Sequence, residues 1–521
     1  MDEASSTEPR QWAVLQEVDD RSKIAARPRD QLICFALYTV HEGILKLSVQ
    51  LYPLAESDPH QVSLSIEVDD RWRIVAMTPV HRIGWTATFR VPDWDMAKNW
   101  RYRVSHPLGS TYEGTIRRDP VDKSVIVAAA FTGNSPGPGG GKISKDDVVE
   151  TVRGIDPDVL LFTGDQVYPH LAHTQHWLSF GELFGDLIKD RPTVCLTDDH
   201  DVGQPNLWGQ GGRKATRDVQ GGYTRPADYV KMVERQQTAH LPDPYDPTPI
   251  EQGIGVYYTR LLVGGVDFAI IEDRKFKSGC LDFDIEGNGM GPRPDHITAE
   301  DYDPKLYDTP GKQLLGERQI RFLHEWGKQQ DGVAFKAVVS QTAFNMTSTY
   351  HGSEKEFYRA DFDANGWPQT GRDRAVDAMR RAQAFHICGD QHLATLGQYG
   401  IDSFRDAGWW FCVPSIANLW PRWWEPKYEA VRKIDGPLDN LGDYLDGFGN
   451  KMTIHAHTNP RPSGREPAEL HDRMPGFGIV RFDRSTKKIT AECWPRMVDV
   501  TDPTNQYRGW PRTIDPFADG E

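Results

Sequence analysis

From Val125 onward the chain repeats one pattern: a short apolar run stops abruptly on an ionisable or amide side chain, and a helix-periodic segment separates it from the next run. Val125 to Phe131 runs into Thr132-Gly133-Asn134, Val159 to Thr163 into Gly164-Asp165, and Thr193 to Thr197 into Asp198-Asp199-His200-Asp201. Val266 to Ile271 then leads to Glu272-Asp273-Arg274, Phe335 to Ser340 to Gln341, and Phe385 to Cys388 to Gly389-Asp390-Gln391-His392. Apolar runs without polar alternation are strands covered on both faces, and strands alternating with helices make a layered α/β domain. Ligands in such folds bind outside the carboxyl ends of the strands, so these polar stops are predicted to converge on one rim.

The preceding stretch, Gln31 to Arg118, has another rhythm. Leu45 to Leu51, Val62 to Val68, Trp85 to Val91 and Trp100 to Val104 alternate or carry β-branched and aromatic residues, as in a small all-β sandwich. The polar break Arg117-Arg118-Asp119-Pro120 divides the two, and 521 residues exceed what one hydrophobic core organises. The expected domains are a β-sandwich over 25–120 and an α/β domain over 121–521. Helices are expected from Ser144, with Asp147 completing a capping box and Gly154 closing it, and over His176 to Lys189, Glu317 to Gln329 and Arg374 to Ala384. The Gly/Pro-rich loop Gly133 to Gly141 follows the first apolar run, while Gly279 to Gly311 and Gly408 to Asn450 read as irregular segments wrapping the site.

A net charge of −15 argues against a broad grip on nucleic acid, whose affinity comes largely from neutralising phosphates. No apolar run reaches the roughly 18 residues of a spanning helix, and Met1 to Asp30 lacks the features of a secretory signal. Cys34, Cys195, Cys388 and Cys412 lie in apolar runs and read as buried free thiols, and no Cys/His spacing suggests a structural zinc site.

Carboxylates, amides and imidazoles at several strand ends are what a pair of metal ions needs to clamp a phosphate ester, and Asp165, Asp199, Asp390 and His392 meet that description. The motifs around them carry a resemblance. Gly164-Asp165-Gln166-Val167-Tyr168 resembles a GDxxY motif, Asp198-Asp199-His200-Asp201 a DDH(D/E) motif, and Gly389-Asp390-Gln391-His392 a terminal GDxH. Glu272-Asp273-Arg274-Lys275-Phe276 is similar to a DxRxxR strand end. Together, in this order, they resemble the PhoD-like (alkaline phosphatase D) family of calcineurin-like metallophosphoesterases, from the amino-terminal sandwich to about Arg496.

The resemblance implies a four-layer α/β/β/α metallophosphoesterase sandwich preceded by an all-β sandwich domain. It also implies hydrolysis of phosphate mono- or diesters by a metal-activated hydroxide, on small-molecule or polymeric substrates, with nucleic acid entering only as a possible substrate. Two or more metal ions are implied, with calcium, iron, manganese and zinc as candidates, and export after removal of a signal. Asp165 would bridge the metals, Asp199 would bind the second, Tyr168 the first as a phenolate, and Asp390 and His392 would complete the set. His200 would donate to the phosphoryl oxygen or protonate the leaving group, and Arg274 is a second candidate catalytic residue, for the substrate's phosphate oxygens, which guanidinium groups bind bidentately. Gln341 stands where relatives have a metal-binding histidine, and an amide oxygen there favours a hard cation such as calcium.

One departure concerns Gly133, which stands where the family commonly has an iron-binding cysteine; Asn134 is the candidate oxygen ligand in its place. Asn206 and Arg213, just after the DDHD motif, are candidate substrate-binding residues, as is Lys214. Rival readings are a hydrolase of sulfate or phosphonate esters and a binding protein whose metal site has decayed. His386 reads as a core histidine, His455 and His457 as structural, and His170, His173 and His176 as a solvated helix face. Trp409, Trp410, Trp420, Trp423 and Trp424 divide between core packing and a face for sugars or nucleobases.

Overall fold

The computed structural model describes residues 19–136, 143–281, 295–299 and 301–517. Its amino-terminal part is all β: β1 (Ile33–His41), β2 (Ile44–Leu51), β3 (Gln61–Val68), β4 (Arg71–Pro79), β5 (Thr86–Val91), β6 (Trp100–Ser105) and β7 (Thr111–Ile116). An antiparallel sheet β1-β2-β5 packs on a second, β4-β3-β6-β7. Leu45, Leu47, Val49 and Leu51 alternate inward from β2 to meet Leu64, Tyr102 and Val104, and each such aliphatic side chain contributes about 1.5–3 kcal/mol. β1 shows no alternation because its second face is covered too: Phe35 packs on Trp177, its ring 5.3 Å away.

The strands that follow are β8 (Val125–Phe131), β9 (Val159–Phe162), β10 (Thr193–Cys195), β11 (Thr259–Val263), β12 (Val266–Ile270), β13 (Phe335–Thr342), β14 (Phe385–Gly389) and β15 (Thr395–Tyr399). After them come β16 (Trp409–Cys412), β17 (Arg432–Lys433), β18 (Gly442–Leu445), β19 (Lys451–His457), β20 (Gly476–Asp483), β21 (Lys488–Pro495) and β22 (Arg512–Ile514), with small satellite pairings left unnumbered. They form a six-stranded sheet, β10-β9-β8-β20-β21-β22, and a nine-stranded sheet, β11-β12-β13-β14-β16-β15-β19-β18-β17. Within these, β8, β9 and β10 run parallel, as do β12, β13, β14 and β16.

The sheets pack face to face through Ala128, Ala130 and Leu161 against Phe268, Val339 and Ile387. Helices α1 (Asp146–Ile155) and α2 (His173–Ile188) cover the outer face of the first sheet, over Ala129, Leu160 and Phe162. After α3 (Ala227–Thr238), helices α4 (Gly316–Gly327) and α5 (Gln369–Arg381) cover the second, over Ala269 and Val338. The result is the four-layer α/β/β/α sandwich expected.

Local expectations differ in places. α1 starts at Asp146, because Ser144 Oγ accepts the Asp146 N–H and Asp147 turns to Arg496 instead of closing a capping box. It also runs past Gly154 to end on Asp156, a residue with φ of 55°. Residues 408–450 are not wholly irregular, since they supply β16, β17 and β18. Much of 279–311, and the tip of the loop after Gly133, lie outside the described residues.

All six cysteines are free thiols. Cys388 and Cys412 are neighbours in register on β14 and β16, yet their thiols turn to the carbonyls of Phe411 and Gly389. Burial pushes the Cys34 thiol up to about 12. Alkylation in denaturant without reductant is expected to modify six cysteines; any pair protected as a disulfide would contradict this. Among the described residues no helix is long and apolar enough to cross a membrane.

Candidate metal centre

Bonds across the seam between the sheets bring the six strand ends together. The Asp390 N–H donates to Thr132 Oγ1 at 3.0 Å, Gln341 Nε2 to the Thr197 carbonyl at 2.8 Å, and Arg274 Nε to Asp198 Oδ1 at 2.8 Å. Gly389 has to be glycine here, since a Cβ would lie 2.4 Å from Thr132 Cβ and from Thr163 Oγ1. Asp165, Asp390 and His392 have φ of 60°, 63° and 53°. Such backbone costs about 1–3 kcal/mol per residue and persists where the surroundings over-determine it. Asp201 is one such constraint: its carboxylate accepts the N–H groups of Asp165, Val167 and Asp198 and the Gln237 amide, tying the GDxxY turn to the DDHD turn.

Asp165, Asp199 and His200 each offer a ligand atom, and these atoms lie within 4.8 Å of one another. Tyr168 Oη is 3.3 Å from His392 Nε2, and its ring lies 4.5 Å from that of His200. Asp165 Oδ1, Asp198 Oδ2 and Asp273 Oδ1 are buried without a hydrogen-bond partner. Burial, reinforced by Asp198, Asp201 and Asp390, drives the Asp165 carboxyl well above its usual range, and burial and Asp165 do the same to Asp199. Buried carboxylates so placed need a cation to be ionised together. The donor set therefore fits metal ions.

Burial works to raise Asp390 as well, but Arg274 and Arg422 outweigh it and hold the carboxyl below its usual range. Burial lowers His200 to about 3, with His170 and His392 adding to it, and lowers His392 to about 4. Both imidazoles are neutral at pH 7.

Arg274 is 1% exposed and its guanidinium faces three carboxylates: Nε bonds Asp198, Nη1 bonds Asp363 Oδ1 at 2.7 Å, and Nη2 lies 3.0 Å from Asp390 Oδ2 without a hydrogen bond. Gln341 gives its amide N–H to Thr197 and Tyr257 and accepts the Asp273 N–H. Asn134 Oδ1 takes the Lys145 ammonium at 2.6 Å while Nδ2 donates to the Gln166 carbonyl. Each amide oxygen keeps a second lone pair. Asn206 is turned to Asp295, at 2.5 Å, and Arg213 and Lys214 lie on an exposed loop.

Several residues at the site had no signal of their own in the sequence. Arg422 donates to Gln391 Oε1 and lies 3.5 Å from Asp361, and Asp363 holds Arg274; both come from stretches without an apolar run to place them. His170, Nε2 2.8 Å from His200 Nδ1, is half-buried rather than part of a solvated face, and His173 is wholly buried. His386 is a core histidine bonded to Ser340 and Tyr399. Trp410, Trp423 and Trp424 are buried, whereas Trp420 is 43% exposed, and its carbonyl bonds His392 Nδ1 at 3.3 Å.

At Gly133, where φ is 67°, a Cβ would lie 2.2 Å from Ser415 Oγ and 2.9 Å from Ser415 Cβ. The Ser415 hydroxyl cannot simply swing away, because it donates to the Gly133 carbonyl and accepts the Asn418 N–H. The position is closed to any side chain, thiol included. Gly133→Ala is expected to lower stability by about 1–3 kcal/mol in urea titration, the cost of overpacking a filled site; an unchanged midpoint would show that the 415–418 loop yields.

Residues 181–433 match the family model of PhoD-like phosphatases. A search of curated protein sequences returns no match. Among solved structures, "Structure of PhoD" superposes with a TM-score of 0.61 at 12% identity, covering 94% of this chain and 90% of that one. A purple acid phosphatase, PPD1, from yellow lupin (Lupinus luteus) seeds superposes with a TM-score of 0.54 at 11% identity, over 94% of this chain and 76% of that one.

Proposed function

We propose, for a chain that is a PhoD-like metal-dependent phosphoester hydrolase, that Asp165, Tyr168, Asp199, Asp390 and His392 hold its metal ions and that phosphodiesters are its preferred substrates. The observation that carries the reading is the set of buried carboxylates at the strand ends, with Asp165 Oδ1 left unbonded among them. Metal ions bound there supply positive charge to the phosphoryl oxygens and an acidified water for attack.

The chain's own groups do the rest. Tyr168 and His170 hold His200, whose free nitrogen donates to a phosphoryl oxygen or to the leaving oxygen. Arg274 fixes Asp198, Asp363 and Asp390, and Arg422 fixes Gln391. Arg274 is thus taken up by three carboxylates, which supports a diester, since the extra charge of a monoester dianion would not find it free, while Arg422 Nε stays buried without a partner. The donors are mostly oxygens, with Asn134 and Gln341 in reserve, and Gly133 closes the thiol position, so we assign hard cations such as calcium or manganese ahead of zinc. The amino-terminal sandwich and the α/β part, divided near residue 120, are proposed as separate domains.

The test uses chelator-stripped protein with calcium, manganese, iron or zinc added singly, assayed on nitrophenyl phosphate, bis-nitrophenyl phosphate and nitrophenyl sulfate. Calcium or manganese should restore hydrolysis, fastest on the bis-ester. Faster sulfate hydrolysis would move the enzyme to another ester class, and no restoration by any metal would leave a binding protein.

A further inference from the structure

His170 belongs to none of the strand ends, yet it touches the site. Its carbonyl accepts the hydroxyl of Tyr229, a buried residue of α3, at 3.3 Å. The same carbonyl packs against Gly203, where a Cβ would come within 2.9 Å of it. A half-buried turn histidine is thereby fixed from a helix on the far side of the DDHD turn. Its Nε2 lies 2.8 Å from Nδ1 of His200, with the rings 5.0 Å apart, and the Tyr168 ring, at 4.5 Å and 30°, limits rotation of the same imidazole.

A contact of this length between two imidazole nitrogens needs a proton on one and a lone pair on the other. Either His170 donates, and His200 carries its proton on Nε2, or His200 donates, and its Nε2 is a bare lone pair. The role proposed for His200 decides between them. If Nε2 gives a proton to a phosphoryl or leaving oxygen it must carry one, and Nδ1 must then accept from His170.

We infer that His170 is a positioning residue that donates its Nε2–H to His200 Nδ1 and so holds His200 as an Nε2–H donor aimed at the substrate. The inference rests on the reading that His200 acts on the phosphoryl group. The proton on His200 Nε2 is then the one offered to the phosphoryl or leaving oxygen; where it is transferred, the proton lost by the attacking water replaces it on Nε2, and His170, still bonded to Nδ1, keeps the same tautomer without touching the ester. Without His170 nothing in this contact selects between the two tautomers.

The test is nitrogen-15 spectroscopy of the full chain labelled at histidine, with the His200 signals assigned by their loss in His200→Gln. Wild type should show a protonated Nε2 and an unprotonated Nδ1 for His200, in chelator as well as with metal. His170→Ala should give a mixture of tautomers, and His170→Gln, whose amide N–H can donate in the same direction, should return the single form. In parallel, His170→Ala should slow hydrolysis of an alkyl ester by about 10–100-fold, a fraction of a full acid–base contribution. It should slow a nitrophenyl ester far less and keep the metal content. A protonated Nδ1 in wild-type His200 would overturn the inference. So would an unchanged tautomer and alkyl-to-aryl rate ratio in His170→Ala, or metal loss from it. Should His170→Ala fail to fold, the wild-type spectrum and His170→Gln still decide. If wild type hydrolyses no phosphate ester at all, the proposed function fails, while the nitrogen shifts still report the tautomer.

Discussion

His200→Ala is expected to slow phosphoester hydrolysis by about 10²–10⁴-fold and to keep its metal, the range for losing an acid–base or transition-state donor. Asp199→Ala, one residue away, should lose metal and activity together. The difference follows from what each side chain touches. Burial and Asp165 push the Asp199 carboxyl well above its usual range, so its ionised form gains from a bound cation. His200 is held through Nδ1 by His170, a support that does not involve a metal. Alkyl esters should suffer more than nitrophenyl esters in His200→Ala if the proton goes to the leaving oxygen, because nitrophenolate scarcely needs one. Metal analysis beside single-substrate kinetics checks the pair. A His200→Ala protein stripped of metal, beside a fully metallated and active Asp199→Ala, would reverse the two assignments.

Arg274→Ala should destabilise the metal-free protein by about 3–5 kcal/mol, the usual cost of removing one partner from a buried ion pair. Three carboxylates lose their counter-charge at once: Asp198, Asp363 and Asp390. Arg274→Lys should rescue little, because an ammonium cannot reproduce a fork that bonds three directions. The pH dependence has a definite sign. Asp390 is depressed in the folded chain, so its contribution is present above the unfolded value, near 3.8, and is lost as the pH falls through the folded one. Removing Arg274 removes that contribution, and the deficit should be largest near neutrality and shrink below pH 4. Urea titrations in chelator at several pH values measure it. A deficit under about 1 kcal/mol at pH 7, or one that grows on acidification, would show that the cluster is not organised by this guanidinium.

The centre was legible wherever a strand announced it. β9, β10 and β14 are buried on both faces, so their runs are mostly apolar, with Thr193 and His386 as exceptions, and their ends stand out as abrupt changes of chemistry. Asp165, Asp199, Asp390 and His392 could be named for that reason. Proximity in sequence was a poor guide beyond the strand ends. Asn206 and Arg213 follow the DDHD motif closely, but the chain turns away, leaving one on Asp295 and the other on an exposed loop. Arg422 and Asp363 reach the site from far along the chain, out of segments with no period to read. β4 escaped for a different reason: it edges its sheet, and Ile74 and Met77 point to solvent at 64% and 58% exposure, so no apolar face marks it.

The six-stranded sheet places β8 between β9 and β20, with Val125 opposite Asp483 and Ala130 opposite Gly478. The strand that leads into Thr132, the residue that anchors the Asp390 backbone, therefore takes one of its two neighbours from the β20-β21 hairpin, which lies beyond His392 in the sequence. A ribosome that has already read out every proposed ligand, from Asp165 to His392, has still not made that neighbour. Completion of this seam therefore waits for β20 to leave the exit tunnel, and pairing across so long a separation in sequence is slow. A nascent chain read only as far as His392 thus lacks a neighbour for the strand that anchors Asp390, and has no finished site in which to trap an ion.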